Sequence, residues 1–209
     1  MTDPSKSDNS PDAGDPEPFA ALKRLEQQSR RIYFNQPLWL PGLMQVAGYA
    51  AAMIGTIAGL KAGDPELERR VETRMQRASA FDERLRGADA PEVWVPVDEA
   101  VLRRGTGGST AMREQIDRLV KLSTMDKNVH LAVIRQGSGP YPGLRGPYEL
   151  HETSNGDAFV YFEGARHDEL VVNDLSLVQQ CRDEVLAMME SAVSGAEVQD
   201  ILKAITGGL

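Results

Sequence analysis

Three arginines, Arg70, Arg74 and Arg77, fall at i, i+4 and i+7 of a helical stretch, so they share one helix face. Planar guanidinium groups on one face can grip a carboxylate or a phosphate through a bidentate fork. The same face equally suits solvated pairing with Glu66, Glu72 and neighbouring carboxylates. A second group, Asp98, Glu99, Arg103 and Arg104, follows directly on an alternating run of valines. Glu99 there could orient a ligand or act as a general base. It could equally form a structural pair with Arg103 or Arg74. The loop Tyr141, Pro142, Gly143, Leu144, Arg145, Gly146 permits close backbone approach, as a lid, a partner-binding loop or a plain strand connection. Glu163 ends a strand row that carries Phe159 and Tyr161, within reach of the arginine cluster. The candidate ligand-binding residues are therefore Arg74, Arg77, Glu99, Arg103, Tyr141, Tyr161 and Glu163. No catalytic residue is assigned.

Other chemistries find little support. His130 and His151 are isolated in strands and His167 sits in a loop, with none of the spacings that hold zinc. No metal or other cofactor is expected. Cys181, the one cysteine, lies among helix-facing apolar residues and reads as core. It also rules out an intrachain disulfide. The stretch RGTGGST resembles a phosphate loop loosely but lacks the lysine. The net charge of −8 opposes direct binding to a nucleic-acid backbone. The apolar run Val46 to Leu60 is shorter than the roughly 20 residues of a membrane span. It is also rich in Ala and Gly. No secretory leader opens the chain, and a reducing cytoplasm is the expected compartment.

These groups must be positioned by elements that the pattern predicts. Residues 1–18 carry five acids, four prolines and no aromatic side chain, and are expected to form a disordered acidic tail. Leu22, Leu25, Gln28, Ser29 and Ile32 follow helical spacing. Pro41 suits the first turn of a helix whose inner side holds Leu43, Ala47, Ala50, Ile54 and Ile57. Asp64-Pro65 opens another helix, with Leu67, Val71, Met75, Ala78 and Leu85 as its stripe. Val93, Val95 and Val97 mark a strand, placed near an edge because Pro96 lacks a donor. A helix over STAMREQIDRLVKLS, capped by Ser109 or Thr110, and a strand over NVHLAVIRQ follow. PYELHET and AFVYFEG then form a hairpin through an Asn-Gly turn. DELVVND adds a strand. Asp174 caps a helix, and Ser194 with Glu197 forms a capping box for the last one. The expectation is a single α+β domain over residues 19–209, with a mostly antiparallel sheet packed with helices.

The ordered set PGLMQVAGYA, RRVETRMQR, VDEAVLRRGTGGSTAMREQIDRLVKLS, YPGLRGPYEL and VYFEG resembles the uncharacterised C-terminal domain of actinobacterial Xre-type helix-turn-helix regulators, the WhiJ-like proteins. The likeness spans roughly Pro41 to Ile205. Val46 stands where that family tends to have Thr, and Ala78 where it tends to have Gln. The family's DNA-binding helix-turn-helix finds no counterpart before Pro41, and a stand-alone form is expected. By resemblance, the chain is a regulatory or interaction domain that takes a small protein partner or a small-molecule ligand, and it is compatible with a homodimer. The alternative is an enzyme of specialised metabolism with Glu99, Arg74, Arg103 and Tyr161 in its pocket. On either reading the chain does not grip duplex DNA by itself. A gel-shift at low salt is expected to show no specific complex at sub-micromolar protein.

Overall fold

The computed structural model describes residues 17–125, 127–164 and 167–209. The tail expected over 1–18 lies outside the described residues except for Glu17 and Pro18, which open the first helix. The elements in chain order are α1 (Glu17–Glu26), β1 (Ser29–Asn35), a 3-10 turn (Gly42–Met44), α2 (Ala47–Ala58), α3 (Pro65–Leu85), β2 (Glu92–Asp98), α4 (Glu99–Arg103) and α5 (Gly108–Met125). There follow β3 (Val129–Ile134), a second 3-10 turn (Pro142–Arg145), β4 (Tyr148–Thr153), β5 (Ala158–Phe162), β6 (Glu169–Val172), α6 (Leu175–Ser191), β7 (Val193–Ser194) and α7 (Ala196–Gly207).

One seven-stranded sheet runs in the order β6-β5-β4-β1-β2-β3-β7. The β1–β2 and β2–β3 pairs are parallel and the other four are antiparallel. The α+β expectation therefore holds, with a parallel centre that the sequence reading lacked. Parallel neighbours need long crossovers. The turn with α2 and α3 makes the first, and α4 with α5 makes the second. On one face Ile32, Phe34, Val93, Val95, Val97 and Val133 meet Met53 and Ile54 of α2, Phe81 of α3, Met112 and Ile116 of α5, and Leu202 of α7. On the other face Tyr33, Tyr148, Leu150 and Val160 meet Val178, Val185 and Met188 of α6.

Several local expectations are corrected. The first helix ends at Glu26, and Ser29 to Ile32 belong to β1. Ile32, Tyr33 and Phe34 are β-branched or aromatic and all buried, which suits a pleated strand between two neighbours. β2 is internal, not near an edge. Pro96 is tolerated because the register with β1 stops at Trp94, which leaves only β3 paired beside the proline. α2 begins at Ala47, not at Pro41, and buries Tyr49, Ala50, Met53 and Ile54. Ala47 and Ile57 face outwards, with Ile57 60% exposed. α5 already starts at Gly108, so Ser109 and Thr110 lie inside it. Ser194 belongs to β7 rather than to a capping box, and Gly195 stands at the N-cap of α7. Asp64, Asp174 and the SNGD hairpin take their expected places.

The loop before β4 is fastened to the sheet by Asn35, whose Nδ2 donates to the carbonyls of Gly143 (3.0 Å) and Gly146 (2.8 Å). A Cβ on Gly143 would collide with the Asn35 amide and lie 2.8 Å from Met188 Sδ. Gly143→Ala is expected to cost roughly 1–3 kcal/mol, the scale of overpacking. Chemical denaturation of the two proteins measures the difference.

Candidate functional site

Alternation along β4 sends Tyr148 and Leu150 to the α6 face and Glu149 and His151 to the opposite one, beneath α3. Both polar residues are buried, so their polar groups must be partnered there. His151 Nε2 lies 3.3 Å from Glu149 Oε2, and its Nδ1 lies 3.0 Å from Ser29 Oγ. The ring also stacks on Phe159, with centroids 5.0 Å apart. Gln36 Nε2 donates to Glu149 at 3.5 Å. Burial disfavours the ionised carboxylate, but the His151 ring, Arg77 and Arg74 outweigh that and hold Glu149 below the usual carboxylate range.

α3 supplies the cations. Arg77 forms a two-pronged pair with Glu26 at the end of α1, with its Nε 3.0 Å from Oε2. Its guanidinium also lies over the Phe19 ring, 4.8 Å from the centroid. Arg74 Nη1 donates to Gln45 Oε1 at 2.9 Å, and Gln45 Nε2 donates to the Leu40 carbonyl at 2.7 Å. Backbone comes so close to this guanidinium that a Cβ on Gly42 would meet Nη1 at 2.9 Å. Arg70 lies one turn away and pairs with Glu66 on the half-exposed side.

Arg74 lines a pocket of about 390 Å³ between α1, α2, α3 and the end of β5. Met53, Ile54, Ile57 and Phe19 form its apolar wall. Tyr161, Glu163 and Asp168 form the polar side facing Arg74. The Tyr161 hydroxyl donates to Asp168 Oδ2 at 2.5 Å, and burial followed by that bond pushes the phenol well above its usual range. Trp39 Nε1 donates to Glu163 Oε2 at 3.3 Å. Burial, then the neighbouring Glu149 carboxylate, pushes Glu163 up, towards its protonated form. An apolar wall facing a few convergent polar groups is the usual build of a small-molecule site.

The remaining candidates gather elsewhere. Glu99 is buried at the start of α4 and takes Arg103 Nε at 2.8 Å, the Gln136 backbone N–H at 3.0 Å and Arg135 Nε at 3.4 Å. Arg74 pairs with Gln45, not with Glu99. Burial opposes ionisation of Glu99, but the Gln136 N–H and the two arginines prevail and lower its pKa. The Tyr141 hydroxyl donates to Asp98 Oδ2 at 2.8 Å, while Asp98 Oδ1 caps α4 through the Ala100 N–H. Arg104 donates to the Leu38 carbonyl, and Arg145 pairs with Glu184 of α6. Arg74, Tyr161 and Glu163 thus share the pocket, with Arg77 directly behind. Glu99, Arg103 and Tyr141 close on each other and their neighbours at the end of β2.

Sequence reasoning missed Gln45, Glu149, His151 and Asp168. Alternation in PYELHET is the signal that would put Glu149 and His151 on one face, but nothing in it tells that α3 covers that face. Among the described residues no group of His, Cys, Asp and Glu is arranged to hold a metal ion. No helix among them is long and apolar enough to cross a membrane.

The sign of the pH dependence follows from Glu149. Its folded pKa lies below the unfolded value of about 4.3. Ionised Glu149 therefore stabilises the fold above that pH, and the contribution is lost as pH falls through the folded value. Glu149→Gln removes the buried carboxylate that His151 and Gln36 hydrogen-bond and that Arg77 and Arg74 lie near, and is expected to cost roughly 3 kcal/mol at pH 7. The variant's stability should fall less steeply with acid than the wild type's. Urea titrations from pH 7 to pH 3 compare the two.

A family model described as a domain of unknown function, DUF5753, matches residues 19–204. No curated protein and no solved structure matches the chain. The matched segment takes in every pocket residue and all of the sheet. The chain belongs to the DUF5753 family.

Proposed function

We propose that this chain is a ligand-sensing regulatory domain, and that the pocket between α2, α3 and β5 takes a small amphipathic molecule. One observation carries the reading. A half-buried arginine, Arg74, lines one cavity together with Glu163, Asp168 and the apolar side chains of Met53, Ile54 and Ile57. An apolar core position would serve stability better than a half-buried cation bonded to a neutral amide. The motif order supports a regulatory setting, because it resembles the C-terminal half of Xre-type helix-turn-helix regulators. In that setting the pocket would be the sensory input, and binding would alter contact with a DNA-binding or partner protein. An enzyme has less to draw on. Its four expected pocket groups fall apart, with Arg74 and Tyr161 in the cavity and Glu99 and Arg103 at the end of β2.

A bound ligand stabilises the folded state by about 2.7 kcal/mol at a hundredfold excess over its Kd. For a chain of this size that raises Tm by roughly 5–10 °C. Thermal-shift assays over a panel of small amphiphiles should therefore return hits. Ile57 is exposed at the pocket wall, so Ile57→Asp should leave the unliganded Tm within about 1 °C, as surface changes usually do. It should also abolish the shift. A panel without hits, or hits indifferent to Ile57→Asp, would sink the reading.

A further inference from the structure

Three acids and three arginines line the pocket, but they are not paired one to one. Glu66 is already spanned by Arg69 and Arg70, with bonds of 2.9, 3.0 and 2.6 Å. Asp168 accepts the Tyr161 hydroxyl on one oxygen and the Gly164 N–H, at 3.2 Å, on the other. Glu163 accepts from Trp39 and is held towards its neutral form. Arg74 is different. Its bonded partner, Gln45, carries no charge, and among the described residues no carboxylate forms an ion pair with it. The glutamine and the backbone at Gly42 fix one edge of the guanidinium. A half-buried guanidinium with a neutral partner is a costly arrangement that an incoming anion relieves.

The geometry points to an amphipathic monoanion as the occupant: a carboxylate headgroup on Arg74, with its apolar tail along Met53, Ile54 and Ile57. This assignment rests on the pocket being a ligand site, as proposed above. Its two parts follow from the two walls. Arg74 matches a carboxylate in planarity and in charge. A phosphate monoester would bring a second negative charge towards the Asp168 carboxylate. An amine would bring its charge to Arg74. The tail finds α2 side chains rather than solvent, and Ile57, 60% exposed, leaves the mouth open for chain length to vary.

The test is isothermal titration calorimetry of the full chain with four probes that share one tail. They are decanoate, decan-1-ol, decyl phosphate and decyltrimethylammonium, each below the concentration at which it self-associates. Decanoate is expected to bind at least tenfold more tightly than any of the other three. Arg74→Gln should bring decanoate down to the affinity of decan-1-ol, whereas Arg103→Gln, outside the pocket, should leave it unchanged. Arg74→Gln could unfold the chain, so the four-probe comparison on the wild type decides the matter by itself. Equal affinities, or a preference for the cation or the phosphate, overturn the monoanion. If those affinities still fall in Ile57→Asp, the ligand site itself survives. Absence of binding by all four probes overturns the monoanion, and the pocket reading then stands or falls on the wider thermal-shift panel.

Discussion

Glu149 and His151 occupy a sheet face that helices cover, and the polar architecture of this half of the molecule follows from that burial. Both side chains are buried, so each polar group needs a fixed partner. Ser29 and Gln36, on and just after β1, supply hydrogen bonds from within the sheet. α3 supplies positive charge from above, through Arg77 and Arg74. Arg77 in turn is neutralised by Glu26. Arg84 of the same helix donates to the carbonyls of Glu26 and Ser29, where α1 gives way to β1. The helix that a purely apolar core would seat by leucines is therefore seated partly by directional bonds. That fixes its rotation, and with it the direction in which Arg74 points.

The turn Leu40 to Gln45 is tied in from several sides. Gln45 reaches back to the Leu40 carbonyl and forward to Arg74. From α5, Gln115 donates to the Met44 carbonyl and accepts the Val46 N–H. Arg118 donates to the Leu43 and Met44 carbonyls and pairs with Asp82 of α3 through two bonds of 2.9 Å. Three stretches that stand out in the sequence, PGLMQ, ETRMQR and REQIDRL, thus meet at one place. A change at Arg74 has a bonded route to α5 through Gln45 and the turn.

What the sequence made legible was local. An N-cap acid followed by proline located the start of α3, the SNGD turn paired β4 with β5, and three alternating valines marked β2. Each signal is complete within a few residues. What stayed hidden depends on what lies next to what in space. Arg30 and Arg31 in β1 resembled the polar face of a helix, because a strand between two neighbours shows no clean alternation. Without β1 the parallel centre is hidden too, and the missing donor of Pro96 points to an edge although β2 lies between β1 and β3. The arginine periodicity on α3 was readable, and it brings Arg74 to the pocket. That Arg77 turns instead to Glu26, and Glu99 to Arg135 and Gln136, follows from neighbours far along the chain.

The position of β1 has a consequence for how the polypeptide is made. Ile32 lies beside Val93 on one side and His151 on the other. The first partner is therefore about 60 residues downstream and the second about 120. At a translation rate of about 5–20 residues per second, the first interval alone lasts roughly 3–12 s. Through that time Ile32, Tyr33 and Phe34 have left the ribosome with no strand to pair with. This stretch is open to a nascent-chain chaperone, or to a wrong partner, until β2 is made.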